Sequence, residues 1–106
     1  MSSEVIMVLC TCPDPETAET LSQGLLEARI AACVNQIPGV RSSYIWEGAI
    51  EHNSEVLLLI KTRTDLLSEV DSVICALHPY ELPEILGVPA TKGSTAYLDW
   101  IKGTTR

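Results

Sequence analysis

The apolar positions change period along the chain, and each period predicts an element. Residues 5–12 (VIMVLCTC) are almost continuously apolar and rich in β-branched side chains, which predicts a strand. Asp14-Pro15-Glu16 follows as a helix start, with Asp14 as the cap and Pro15 in the first turn. Ala18, Leu21, Leu25 and Ala28 then recur at helical spacing and predict a buried stripe. Residues 32–37 read as a strand, interrupted by Pro38-Gly39 as a turn or bulge. Beyond it, residues 40–46 continue extended, with Val40, Ser42, Tyr44 and Trp46 on one face. Glu47-Gly48 predicts a tight hairpin turn, and residues 50–52 and 54–62 form the return strand.

A second helix is expected to be capped by Thr64 or Asp65, to carry the stripe Leu66, Val70, Val73 and Leu77, and to stop before Pro79. Residues 84–91 predict a fourth strand, in which Pro89 implies an edge or a bulge. Residues 94–102 predict a short terminal helix with Tyr97, Leu98, Trp100 and Ile101. The order β-α-β-β-α-β is that of a ferredoxin-like α+β sandwich, one antiparallel sheet under two helices. The long hairpin should overhang a compact body. Its Tyr, Ile and Trp side chains call for a partner, because long exposed strand edges associate. Trp46 is therefore expected to be buried partly by a neighbouring subunit.

At 106 residues the chain is expected to form one domain, spanning 1–106. A mean hydropathy of +0.20 is high for a small monomer and implies apolar surface shared between subunits. The net charge of −7, with seven dispersed basic residues, argues against nucleic acid, whose phosphates need clustered Lys and Arg. It suits solubility, and it also concentrates cations at modest strength. The opening MSSEVIMVLC has no basic n-region and carries Glu4, so a signal peptide is not expected. Apolar runs such as 56–60 are far too short to span a membrane, so no membrane insertion is expected. A cytoplasmic protein is expected, with its four cysteines as free thiols.

Several strings then stand out: VLCTCPD (8–14), AACVNQIPGV (31–40), SSYIWEGAIE (42–51), LLLIKT (57–62) and HPYELPEIL (78–86). In this order and spacing they resemble the CutA divalent-cation tolerance family over most of the chain. The resemblance implies a ferredoxin-like domain that forms a tight homotrimer by pairing strands between subunits. It also implies a role in tolerance to copper and other divalent metal ions, and a fold like that of PII-type signalling proteins.

Cys10 and Cys12 stand two apart on a strand and share one face, where soft thiolates suit Cu(I) or zinc. The plain reading makes both small core side chains. Cys33 reads as a core cysteine, and Cys75 should face away from the sheet, three residues before His78. His78 reads either as a histidine at a helix end or as a metal ligand. The resemblance favours Cys10 and His78 as copper ligands, although some family members carry two histidines where this chain has Leu77-His78. His52 reads as a solvated side chain. Trp46, Glu51, Lys61, Tyr80 and Glu84 form a polar and aromatic set that either lines an inter-subunit cleft or packs the interface. No nucleophile-base pair, phosphate-cradling glycine loop or H-E-x-x-H motif is present, so catalysis is not expected. The leading expectation is a trimeric metal-binding or metal-responsive protein. The alternative is a PII-like signalling or scaffold trimer whose cleft takes a small ligand or a protein tail.

Overall fold

The computed structural model describes residues 4–106; residues 1–3 of the opening segment lie outside the described residues. Strand β1 (Val5–Cys12) leads into helix α1 (Pro15–Glu27), and β2 (Cys33–Trp46) and β3 (Ala49–Arg63) form the hairpin. A single 3₁₀ turn (Thr64–Leu66) precedes α2 (Leu67–Leu77), and β4 (Leu86–Pro89) and α3 (Thr95–Thr104) complete the chain. The strands lie in the order β2-β3-β1-β4 with antiparallel neighbours throughout, the ferredoxin-like arrangement.

Alternation along β1 and β3 divides the sheet into two unlike faces. Ile6, Val8, Cys10 and Cys12 of β1 and Val56, Leu58, Ile60 and Thr62 of β3 are buried. All but Thr62, whose hydroxyl donates to the Ile30 carbonyl, form the core with Ala18, Leu21 and Leu25 of α1 and with Leu66, Val70 and Ile74 of the second helical segment. Met7, Leu9, Leu57 and Leu59 point the other way and are only partly buried. Around them Ile37, Leu86 and Val88 are exposed, so this face is apolar and largely uncovered within one chain. Only its end is closed, where Ile101 and Leu98 of α3 pack with Val5, Ala32 and Ala90.

Local signals explain most boundaries. The Asp14 side chain caps α1 by accepting from the Thr17 N–H at 2.7 Å. The helix ends in a Schellman motif: the Arg29 N–H donates to the Leu26 carbonyl and the Ile30 N–H to the Leu25 carbonyl. Arg29 occupies the left-handed position of that motif at φ +57°, where glycine is usual. Pro38-Gly39 forms a bulge between Ile37 and Val40, with Gly39 at φ +73°. The Glu47-Gly48 turn has both residues at positive φ, as a two-residue hairpin demands.

Four expectations are corrected. Helix α2 has no side-chain cap: the Asp65 carboxylate instead takes both Nε and Nη2 of Arg63 at 2.9 Å, and the chain enters through a 3₁₀ turn. That turn sets the helix phase, so the buried stripe is Leu66, Val70 and Ile74, with Val73 partly buried and Leu77 exposed. A Cβ at Gly24 would meet Leu77 Cδ1 at 3.1 Å, so Gly24 sets how closely α1 and α2 approach. The return strand runs unbroken through Asn53. The fourth strand is half the predicted length, Leu86–Pro89, an edge strand that tolerates its proline.

Candidate metal centre and adjoining cleft

Cys10 and Cys12 enter the core from the helix-covered face of β1, and neither exposes any surface. His78 is the residue at which α2 stops: its own N–H closes the last turn on Ile74, and its backbone then turns extended before Pro79. The imidazole folds back over the end of β1 and is buried. One ligand atom from each of Cys10, Cys12 and His78 lies within 4.8 Å of the other two.

The hydrogen bonds of His78 fix its chemical state. Nε2 lies 2.8 Å from the Thr11 carbonyl, which can only accept, so Nε2 carries the proton. Nδ1 lies 3.1 Å from the Tyr80 amide, which can only donate, so Nδ1 offers its lone pair there. The ring is thus the neutral Nε2–H tautomer, assigned from its partners. The two thiols behave as a unit. Their mutual hydrogen bond keeps the proton on Cys10, raising it well above the usual thiol range, with burial and the Glu84 and Glu55 carboxylates adding to the rise. The same bond pulls Cys12 below its ordinary value against the effect of burial.

Two sulfurs and one imidazole nitrogen match the donors that soft ions take. A zinc-sized ion with bonds of about 2.3 Å to sulfur brings its ligands within roughly 3.8 Å of one another, so a small contraction would suffice. The donor set therefore fits a metal, on one condition. Both imidazole nitrogens are already engaged, and His78 can ligate only by giving up its bond to Tyr80 or its bond to Thr11.

A cleft of about 570 Å³ lies between the hairpin arm and the segment after His78. Thr11, Tyr44, Trp46, Glu55, Tyr80, Glu81 and Glu84 are among its lining residues, with three carboxylates and no Lys or Arg. Thr11 lines it from the strand face opposite Cys10 and Cys12, so cleft and thiols meet across β1, and His78-Pro79-Tyr80 borders both. The Tyr80 hydroxyl donates to the buried Glu55 carboxylate at 2.7 Å, and its ring lies 4.6 Å from that of His78. Burial, and then this carboxylate, hold the phenol above its ordinary range.

Of the predicted cleft set, Trp46, Tyr80 and Glu84 come together here. Glu51 and Lys61 do not: Glu51 is exposed opposite Tyr44 on the arm, and the Lys61 amine donates to Asn35 elsewhere on the sheet. His52 is exposed and bonds Ser43. Cys75 faces outward and donates to Asp71, so it does not join His78. Cys33 is partly buried. Glu55 escaped the sequence reading. Its one signal was a charge placed directly before the apolar run 56–60, and its partner is 25 residues away.

Across residues 6–104 the chain matches the family described as CutA1 divalent ion tolerance protein. It is 43% identical over 99 residues to the divalent-cation tolerance protein CutA of Thermus thermophilus, covering 93% of this chain and 96% of that protein. It is also 43% identical over 101 residues to the chloroplastic protein CutA of Arabidopsis thaliana, covering 95% of this chain but 56% of that relative. The crystal structure of CutA from Xylella fastidiosa superposes with a TM-score of 0.94 at 43% identity, over 98% of this chain and 100% of that one. With the matched sequence, the shared fold and the coverage in agreement, the chain belongs to the CutA1 divalent-ion tolerance family.

Proposed function

We propose that the chain serves divalent-cation tolerance as a homotrimer that binds a soft metal, copper foremost, through Cys10 and His78. One observation carries this reading: a buried thiol from the first strand and a buried imidazole from the far end of α2 are held, with a second thiol, inside a 4.8 Å sphere of approach. In this reading the protein's task is capture of the ion rather than turnover. The residues do that task by placement: β1 carries both sulfurs in register with β3, and the bonds to Thr11 and Tyr80 hold the imidazole turned inward.

The trimer part of the reading rests on the uncovered apolar face, on the arm and on the exposed Leu86 and Val88 of the edge strand. The compartment is read as the cytosol, where unpaired thiols persist. No helix among the described residues is long and apolar enough to cross a membrane.

Calorimetric titration of the reduced protein with Cu(I), Cu(II) and Zn(II) tests the site. Cys10→Ser and His78→Ala are each expected to lower affinity, while His52→Ala leaves it unchanged. A Cys10→Ser, His78→Ala double variant that binds copper as the parent does would remove the assignment.

The cleft favours a second reading, a PII-like trimer that binds a small ligand or a protein tail between subunits. Its three carboxylates beside Tyr44, Trp46 and Tyr80 suit an organic cation, whose charge meets both carboxylate and aromatic face, rather than a phosphate ester. A nucleotide screen that yields a tight binder would contradict that charge argument.

A further inference from the structure

From the placement of the buried thiols we infer that Cys12 is a third protein ligand. It makes the centre a two-sulfur, one-nitrogen site that prefers thiophilic ions such as Cu(I) over hard ions such as Mn(II). The inference rests on the metal reading above and adds to it a third ligand that the reading does not assign.

Three observations support it. First, Cys12 lies on the same strand face as Cys10, and its sulfur lies within 4.8 Å of both the Cys10 sulfur and a ring nitrogen of His78. Second, the sulfurs are carried by an interior strand. β1 is paired along its whole length to β3, with Cys10 opposite Leu58 and Cys12 opposite Val56, so their separation is set by the backbone rather than by flexible side chains. A pre-set pair of donors avoids the ordering cost that a mobile ligand meets on binding. Third, the surroundings are dry. Cys12 registers against Val56 and Cys10 against Leu58, both buried. Hard ions keep their water and seek several oxygens, and bind poorly in such a place. Soft ions exchange water for thiolate readily.

A packing role would ask only for a small apolar side chain at position 12, and the two roles predict different measurements. The reduced full chain is titrated anaerobically with Cu(I) against a competing chelator, and with Co(II) as a spectroscopic probe. Cys12→Ala and the volume-filling Cys12→Val are compared with Cys10→Ser, His78→Ala and the parent, after thermal unfolding has shown which variants keep the parent midpoint. Both Cys12 variants are expected to lose Cu(I) affinity by on the order of 100-fold or more, since even outer-shell losses cost about 10–100-fold. The sulfur-to-cobalt charge-transfer band should fall to about half, one of two thiolates being gone, while competition by Mn(II) is unaffected. If both Cys12 variants keep the parent affinity and band while Cys10→Ser abolishes them, Cys12 only fills the core, and the Cys10–His78 assignment survives. If Cys10→Ser and His78→Ala also bind as the parent does, or if the parent binds no Cu(I), the underlying metal reading falls and takes this inference with it.

Discussion

Glu55 is 6% exposed and keeps its carboxylate in place with a hydrogen bond from the Tyr80 hydroxyl. Losing a donor to a buried acceptor leaves that acceptor's desolvation uncompensated. Tyr80→Phe should therefore destabilise the chain by about 1–3 kcal/mol, read as a lower urea midpoint. The Glu55→Leu, Tyr80→Phe pair should lose less than the sum of the single changes. An unchanged midpoint in Tyr80→Phe would mean that water serves the carboxylate equally well. Arg29 presents the opposite case, a residue working against its own backbone preference at φ +57°. Arg29→Gly removes a left-handed cost of about 1–2 kcal/mol and adds unfolded-state entropy of about 0.5–1 kcal/mol. A small rise in the thermal midpoint is expected, and a fall would show that the arginine side chain contributes packing of its own. Neither feature was legible in the sequence. A Schellman motif without glycine looks like an ordinary helix end, and the Glu55–Tyr80 pair joins distant segments.

Helix α1 was the most legible element, because its start and its stripe are both local. Asp14 is held below its ordinary value of 3.8 by the Thr17 N–H. A lowered folded value means that the carboxylate stabilises the helix above pH 3.8 and loses that contribution as the pH falls through the folded value. Asp14→Ala should thus be less stable than the parent at neutral pH, with the gap narrowing under acid unfolding below pH 3.8. A gap independent of pH would assign the cap to geometry without charge. Helix α2 was legible in period but not in phase. The apolar residues repeat at helical spacing in several registers, and the 3₁₀ entry, with Asp65 drawn to Arg63, selects the one that buries Ile74. The fourth strand was overextended at both ends, by Glu84 and Ile85 before it and by Ala90 and Thr91 after it. Strand ends are set by what lies alongside, and β1 pairs only as far as Ile6 opposite Pro89.

The molecule extends 43 Å along its longest axis against 27 and 23 Å for the others. Its radius of gyration of 14.1 Å exceeds the roughly 13 Å of a compact chain this long. The arm accounts for the excess: from residue 41 to the turn and back to 54, no helix covers it, and Ile45 and Ile50 face each other while 76% and 72% exposed. Such a surface and the open sheet face together predict assembly. Light scattering in dilute buffer should give three times the chain mass of 11.5 kDa, and a stable single-chain mass would remove the trimer. Trp46 is 38% exposed in one chain, so Trp46→Ala should act mainly on association. Once a neighbour covers the ring, its truncation should cost about 3–5 kcal/mol. Dissociation at the parent concentration would show that Trp46 lies outside the contact.

The order of elements, the antiparallel sheet under its helices, the projecting hairpin and the family could all be read from the chain, since period, turn residues and caps act over a few neighbours. The same local rule put Cys10 and Cys12 on one face. Their meeting with His78 was implied for Cys10 only by the family resemblance and not by local pattern, because it depends on where α2 ends relative to β1, a matter of how the layers pack. Within one chain Lys61 and Glu51 lie apart from Trp46, Tyr80 and Glu84: alternation gives a side chain its face, but the course of the strand decides what that face meets. The pairing of Glu55 with Tyr80 and the neutral Nε2–H state of His78 likewise exist only once the segment after α2 has folded back over β1. Short-range chemistry is written in neighbouring residues, whereas a site assembled from both ends of a chain is decided by the packing that brings them together.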